Sequence, residues 1–186
     1  MNVTVVVLVA IIVVVIAAFA VWYLTQQQRR RAELREQFGP EYNHAVETYG
    51  ERGRAERVLS ERAERVAALH IRPLSPEESR TFGEQWHNVQ TEFVDDPEGA
   101  IGRADALCGD VMQARGYPMG KFEQRAADVS VDHPTVVENY RAAHHLAQKA
   151  GRGDASTEEL RQAMVHYRTL FEDLIDAREP ARMEQR

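Results

Sequence analysis

Residues 3–24 read VTVVVLVAIIVVVIAAFAVWYL, a run of 22 residues in which Thr4 is the only polar side chain. At 1.5 Å per residue a helix of this length reaches about 33 Å, enough to cross a bilayer core. Val and Ile are poor helix formers in water, but lipid offers the backbone no other hydrogen-bond partner, so the run is expected to be a transmembrane helix over 1–24. Trp22 and Tyr23 stand at its C-terminal edge, where interfacial aromatic belts lie. Arg29, Arg30, Arg31 and Arg35 follow, against an uncharged two-residue tail on the other side. The positive-inside rule then puts the N-terminus outside and the rest of the chain in the cytoplasm, with the bilayer as partner through residues 3–24. Those arginines also suit an anionic leaflet surface. The competing reading is a cleaved signal peptide with Ala18-Phe19-Ala20 as the small-residue site. It lacks a basic n-region, and its apolar run is too long.

All 23 basic and 29 acidic residues lie beyond residue 24, which separates one membrane segment from one domain's worth of polar chain. Residues 25–71 are read as a charged helical stalk. QQQRRRAELREQF prolongs the span, Gly39-Pro40 interrupts it, and Tyr42, Ala45, Val46 and Tyr49 repeat at helical spacing. In the next stretch the seam of Ala55, Val58, Leu59, Val66 and Leu69 is broken by Arg62. Residues 72–178 are read as a small antiparallel helical bundle and 179–186 as a polar tail. Ser75-Pro76-Glu77-Glu78 and Ser156-Thr157-Glu158-Glu159 are capping boxes that open two helices. Leu160, Ala163, Met164, Tyr167, Leu170, Phe171 and Leu174 keep the three-four spacing of a packed face. No strand pattern is present, and the fold class is all-α.

Beyond residue 72 the count is 13 basic to 21 acidic, which disfavours nucleic acid as a partner. The single Cys108 excludes a disulfide scaffold and falls on an inward helix face, as an inert thiol. Glu41/His44 and Glu84/His87 have the Glu-x-x-His spacing of carboxylate-bridged metal bundles, yet both pairs avoid the apolar faces of their helices, so no metal is expected. Adjacent His144 and His145 point about 100° apart and cannot form a zinc pair. His133 before Pro134 reads as a helix start. No glycine loop suited to a phosphate cofactor occurs, and no cofactor is expected. Arg152-Gly153-Asp154 reads as a turn.

The stretches FGPEY (38–42), IRPLSPEE (71–78), W-x-x-V-Q-x-x-F-V-D-D-P (86–97), RGYP (115–118), FEQRAADVSVDHP (122–134), Y-R-x-A-H (140–144) and TEELRQAMVHYRTLF (157–171) resemble those of a group of uncharacterised bacterial proteins with one N-terminal membrane span. The resemblance implies a bacterial inner-membrane protein and carries no activity, ligand or catalytic residue. The preference for Arg over Lys, 21 to 2, fits a GC-rich bacterial genome.

Leu, Ile, Val and Phe make up 28 of the last 162 residues, a lean core that suggests apolar surface shared with another chain. The function expected is therefore a non-catalytic interaction or scaffold module at the cytoplasmic face, contacting a protein partner or a second copy. Its contact face would be Phe82, Trp86, Phe93, Tyr167 and Phe171, unless those rings pack on one another. The alternative is a ligand-binding or enzymatic domain built on Tyr140, His144, His166 and Tyr167, which requires those groups to converge on one cavity.

Overall fold

The computed structural model describes residues 3–176, with side chains from residue 11 onward; the tail expected at 179–186 lies outside them. Among the described residues there are eight helices and no strand. They are α1 (Val3–Phe38), α2 (Pro40–Tyr49), α3 (Arg52–Ala67), α4 (Pro76–Glu92), α5 (Pro97–Arg115), α6 (Phe122–Asp132), α7 (Val137–Ala150) and α8 (Thr157–Asp176). By internal contacts the chain divides into two units, Met1–Gln37 and Phe38–Arg186.

The first unit is the apolar run and its polar continuation in one unbroken helix. Every side chain from Ile11 to Leu24 is exposed, and this helix is long and apolar enough to cross a membrane. The Thr25 hydroxyl donates to the Trp22 carbonyl at 2.8 Å, which spares a polar side chain at the end of the apolar run an unmet hydrogen bond.

In the second unit, Gly39 takes a positive φ of 46° and Pro40 occupies the first turn of α2, so the chain breaks there and restarts. Gly50, left-handed at φ 68°, closes α2 by donating to the Val46 carbonyl. α3 then folds back along α2 and also packs on α6. Phe38, Tyr42, Ala45, Ala55, Leu59 and Val66 are all buried. The residues 25–71 read as a stalk therefore include helices with covered apolar side chains. The high charge density of 51–65 suggested a solvated helix, but its apolar seam is covered, and the second unit begins at Phe38.

The main core lies among α4 to α8, with α8 packed on α5 and α7, and α4 on α5. Both capping boxes form. Ser75 and Glu78 exchange hydrogen bonds at the start of α4, and Ser156 and Glu159 do the same before α8. Trp86 of α4 stacks on Phe171 of α8 with ring centroids 4.6 Å apart. Trp86, Tyr167 and Phe171 are buried, and Phe82 and Phe93 lie half-buried against the same core. Part of the aromatic stripe, Trp86, Tyr167 and Phe171, thus packs within the bundle, because two one-sided helices bury more apolar area against each other than either does in water.

α5 ends at Gly116, with φ 99°, where the residues 70–72 cross it. The Arg72 amide donates to the Arg115 carbonyl at 2.9 Å. A Cβ on Gly116 would stand 2.6 Å from the His70 carbonyl oxygen, a backbone atom with little room to retreat. Gly116→Ala is therefore expected to destabilise the domain by at least about 1 kcal/mol through left-handed strain and this contact. That loss would be read as a drop in urea midpoint without a change in slope.

Candidate functional site

The strongest concentration of buried charge forms where α2, α3 and α7 meet. Glu41 follows Pro40 in the first turn of α2, where the helix dipole favours an anion. Its side chain is fully buried. Arg62 of α3 donates from Nη1 to Glu41 Oε1 at 2.7 Å. Arg141 of α7 donates from Nη1 to Oε2 at 2.7 Å and from Nη2 to Oε1 at 2.9 Å. Burial alone would push the Glu41 carboxyl up, but the hydrogen bonds and charges of Arg141, then Arg62, outweigh it and hold the carboxyl below its ordinary value. This also explains why Arg62 interrupts the α3 seam: it lies on the buried side because its partner is there. The expectation that Glu41 avoids the packed face is corrected, since Glu41, Tyr42 and Ala45 lie on one arc of α2 and are buried together.

A groove of about 500 Å³ opens beside this clamp between α2, α3, α6 and α7, with His44, Tyr49, Arg62, Arg65, Phe122 and Arg141 in its walls. Such a volume suits a small organic ligand. Arg65 donates from Nε and Nη2 to Asp128 Oδ1 at 2.9 and 2.8 Å, and Asp128 is buried on α6. Glu41, His44 and Glu138 bring one ligand atom each within 4.8 Å of one another, the geometry a cation would need. A guanidinium already holds that position, since Arg141 Nη1 also donates to Glu138 Oε1 at 2.6 Å. Both carboxylates are thus engaged by arginine, and a metal would have to displace that cation. Glu84 and His87, the other pair of this spacing, are both exposed.

A second cluster gathers around Asp105 of α5. The Tyr167 hydroxyl donates to Asp105 Oδ1 at 2.9 Å, and His144 Nδ1 lies 3.7 Å from the same atom. Phe122 stacks on the His144 ring at 3.6 Å and meets the Tyr140 ring edge-on at 4.9 Å. Burial and then the Asp105 charge raise the Tyr167 hydroxyl well above its ordinary range. Burial likewise raises Tyr140 and the Cys108 thiol, which makes the thiol a poor nucleophile. Tyr140 and His144 gather around Phe122, and His144 and Tyr167 around Asp105. His166 instead turns to Asn139, with Nδ1 2.8 Å from Oδ1. None of these four residues lines the groove above or the one around Ser75, Glu78 and Phe82.

Trp22, Tyr23, Arg29, Arg30 and Arg35 are exposed along α1, with Arg31 partly covered. No protein-family model, curated protein or solved structure matches this chain.

Glu41→Gln leaves Arg62 and Arg141 short of a counter-charge in a largely buried setting. A loss of about 3 kcal/mol is expected at pH 7, at the low end of the range for a broken buried pair because both guanidiniums keep some solvent. Because the native carboxyl is held below its ordinary value, its contribution is fully present above about pH 4–5 and fades as pH falls through the native value. Thermal melts of the two proteins should therefore converge in acid.

Proposed function

We propose that this chain is a single-pass, membrane-anchored helical module that acts by binding at the cytoplasmic face of a bacterial membrane, without chemistry of its own. The observation that carries the reading is α1, an unbroken helix with exposed apolar side chains from Ile11 to Leu24 that runs directly into the arginine cluster. That order of apolar run, aromatic pair and basic cluster is what membrane insertion with a cytoplasmic C-terminus selects.

The second unit supports binding over catalysis through what its ionisable groups are doing. Glu41 is neutralised by two arginines, Asp128 by Arg65, and Tyr167 is tied to Asp105. A general acid or base needs reach to a substrate proton in a cleft, and these groups reach each other. The groove between α2, α3, α6 and α7 is a concave surface suited to a partner.

The test is topological and uses the full chain with a reporter after Arg186. Expected are a reporter active only in the cytoplasm, a protein that stays in the membrane pellet after alkaline washing, and a mature N-terminus at Met1 or Asn2. A periplasmic reporter would reverse the orientation. A mature N-terminus just after Ala20 would convert the run into a signal peptide and remove the anchor.

A further inference from the structure

His133 is one of the most enclosed ionisable side chains, 4% exposed at the junction of α6 and α7. Its two ring nitrogens have different partners. Nε2 lies 2.9 Å from Arg115 Nη1, and Nδ1 makes a short contact with Asp173 Oδ2 of α8. A guanidinium can only donate, so Nε2 must accept and the ring proton must sit on Nδ1, donated to Asp173. The geometry thereby specifies a neutral imidazole of one tautomer.

Arg115 is itself buried and holds more than the histidine. Nη1 also donates to the Leu174 carbonyl at 3.2 Å, in the last turn of α8. Nε donates to the Arg72 carbonyl at 3.4 Å, in the segment before α4. Its guanidinium carbon sits 5.8 Å from the centre of the Tyr117 ring, whose hydroxyl donates to Asp132 at 2.8 Å. The charged groups around the imidazole are thus Arg115 from α5, Asp173 from α8 and Asp132 at the end of α6, while Arg72 contributes a carbonyl.

From this arrangement we infer that His133 is a proton-operated latch that holds the C-terminal turn of α8 and the 70–75 segment to the end of α5. A proton added at Nε2 is welcomed by the two carboxylates, but it replaces an acceptor with a donor that faces another donor at 2.9 Å. The Arg115 contact must then open. Arg115 cannot shift while keeping its bonds to Leu174 and Arg72, so those segments loosen with it. The closed form binds neutral His133 and the open form binds the imidazolium paired with Asp173. Acid therefore favours opening, and the latch is fully closed only above the transition.

The experiment is hydrogen exchange of the full chain in detergent micelles from pH 8 to pH 5, corrected for intrinsic exchange rates. Peptides covering 70–75 and 170–176 should lose protection together, at least tenfold, with the middle of α5 unchanged. Asp173→Asn keeps an acceptor for Nδ1–H but removes the charge that pairs with imidazolium. It should move the transition to lower pH. The wild-type profile needs no variant and decides the matter if Asp173→Asn fails to fold. Protection that is flat with pH in both segments, loss of protection spread uniformly over the domain, or a transition that Asp173→Asn leaves in place would overturn the latch.

Discussion

A guanidinium taken out of water loses several kcal/mol of solvation, and the surrounding fold must return it through hydrogen bonds. Arg115 sets this constraint here, since it is 1% exposed and touches no carboxylate directly in the hydrogen bonds described. Its donors go to the Leu174 and Arg72 carbonyls and to a histidine nitrogen. Two carboxylates stand one ring further out, Asp173 behind His133 and Asp132 behind Tyr117. Segments far apart in sequence are thereby held to a single point, the end of α5. The turn at Gly116 depends on the same junction, because its left-handed backbone lets residues 70–72 pass close enough to bond Arg115.

The second unit uses two kinds of adhesion. α4 to α8 share one apolar core, dominated by alanine, aromatic and aliphatic side chains that interlock across five helices. The α2–α3 hairpin has buried apolar residues of its own, but none of them belongs to that core. Side-chain links from the hairpin to the bundle include Arg141 on Glu41 and Arg65 on Asp128. Buried ion pairs contribute little net stability against their desolvation, yet they are unforgiving of a missing partner. They define where the hairpin sits more than how tightly. A modest aliphatic content is compatible with this division, since part of the assembly rests on matched charge.

That matching bears on function. Carboxylates and arginines in the interior invite a catalytic or metal reading, and the sequence contains the right spacings for one. In three dimensions the candidate ligands Glu41 and Glu138 are bridged by Arg141, and the Asp105 cluster is packed under Phe122. The polar interior acts as a set of position-fixing contacts, which fits the binding role proposed above.

The all-helical class, the apolar N-terminal helix, the capping boxes and the inward faces of α5 and α8 were legible from residue order, because each follows from local rules: period, cap chemistry and run length. The inertness of Cys108 followed from the same periodicity. The burial within α3 was not legible, because 51–65 is as charged as a solvated helix and only tertiary contact reveals that Ala55, Leu59 and Val66 are covered. Arg62 on an apolar seam was the one local signal of the Glu41 clamp, but its partner lies 21 residues away and Arg141 a further 79 beyond Arg62. His133 read as a helix start, and nothing near it in sequence marks Arg115 or Asp173 as its partners. Local order determined which segments are helices and which faces are apolar. Which buried charge meets which was decided only by the packing of those helices, since an ion pair is a property of distance in space and leaves no period in the chain.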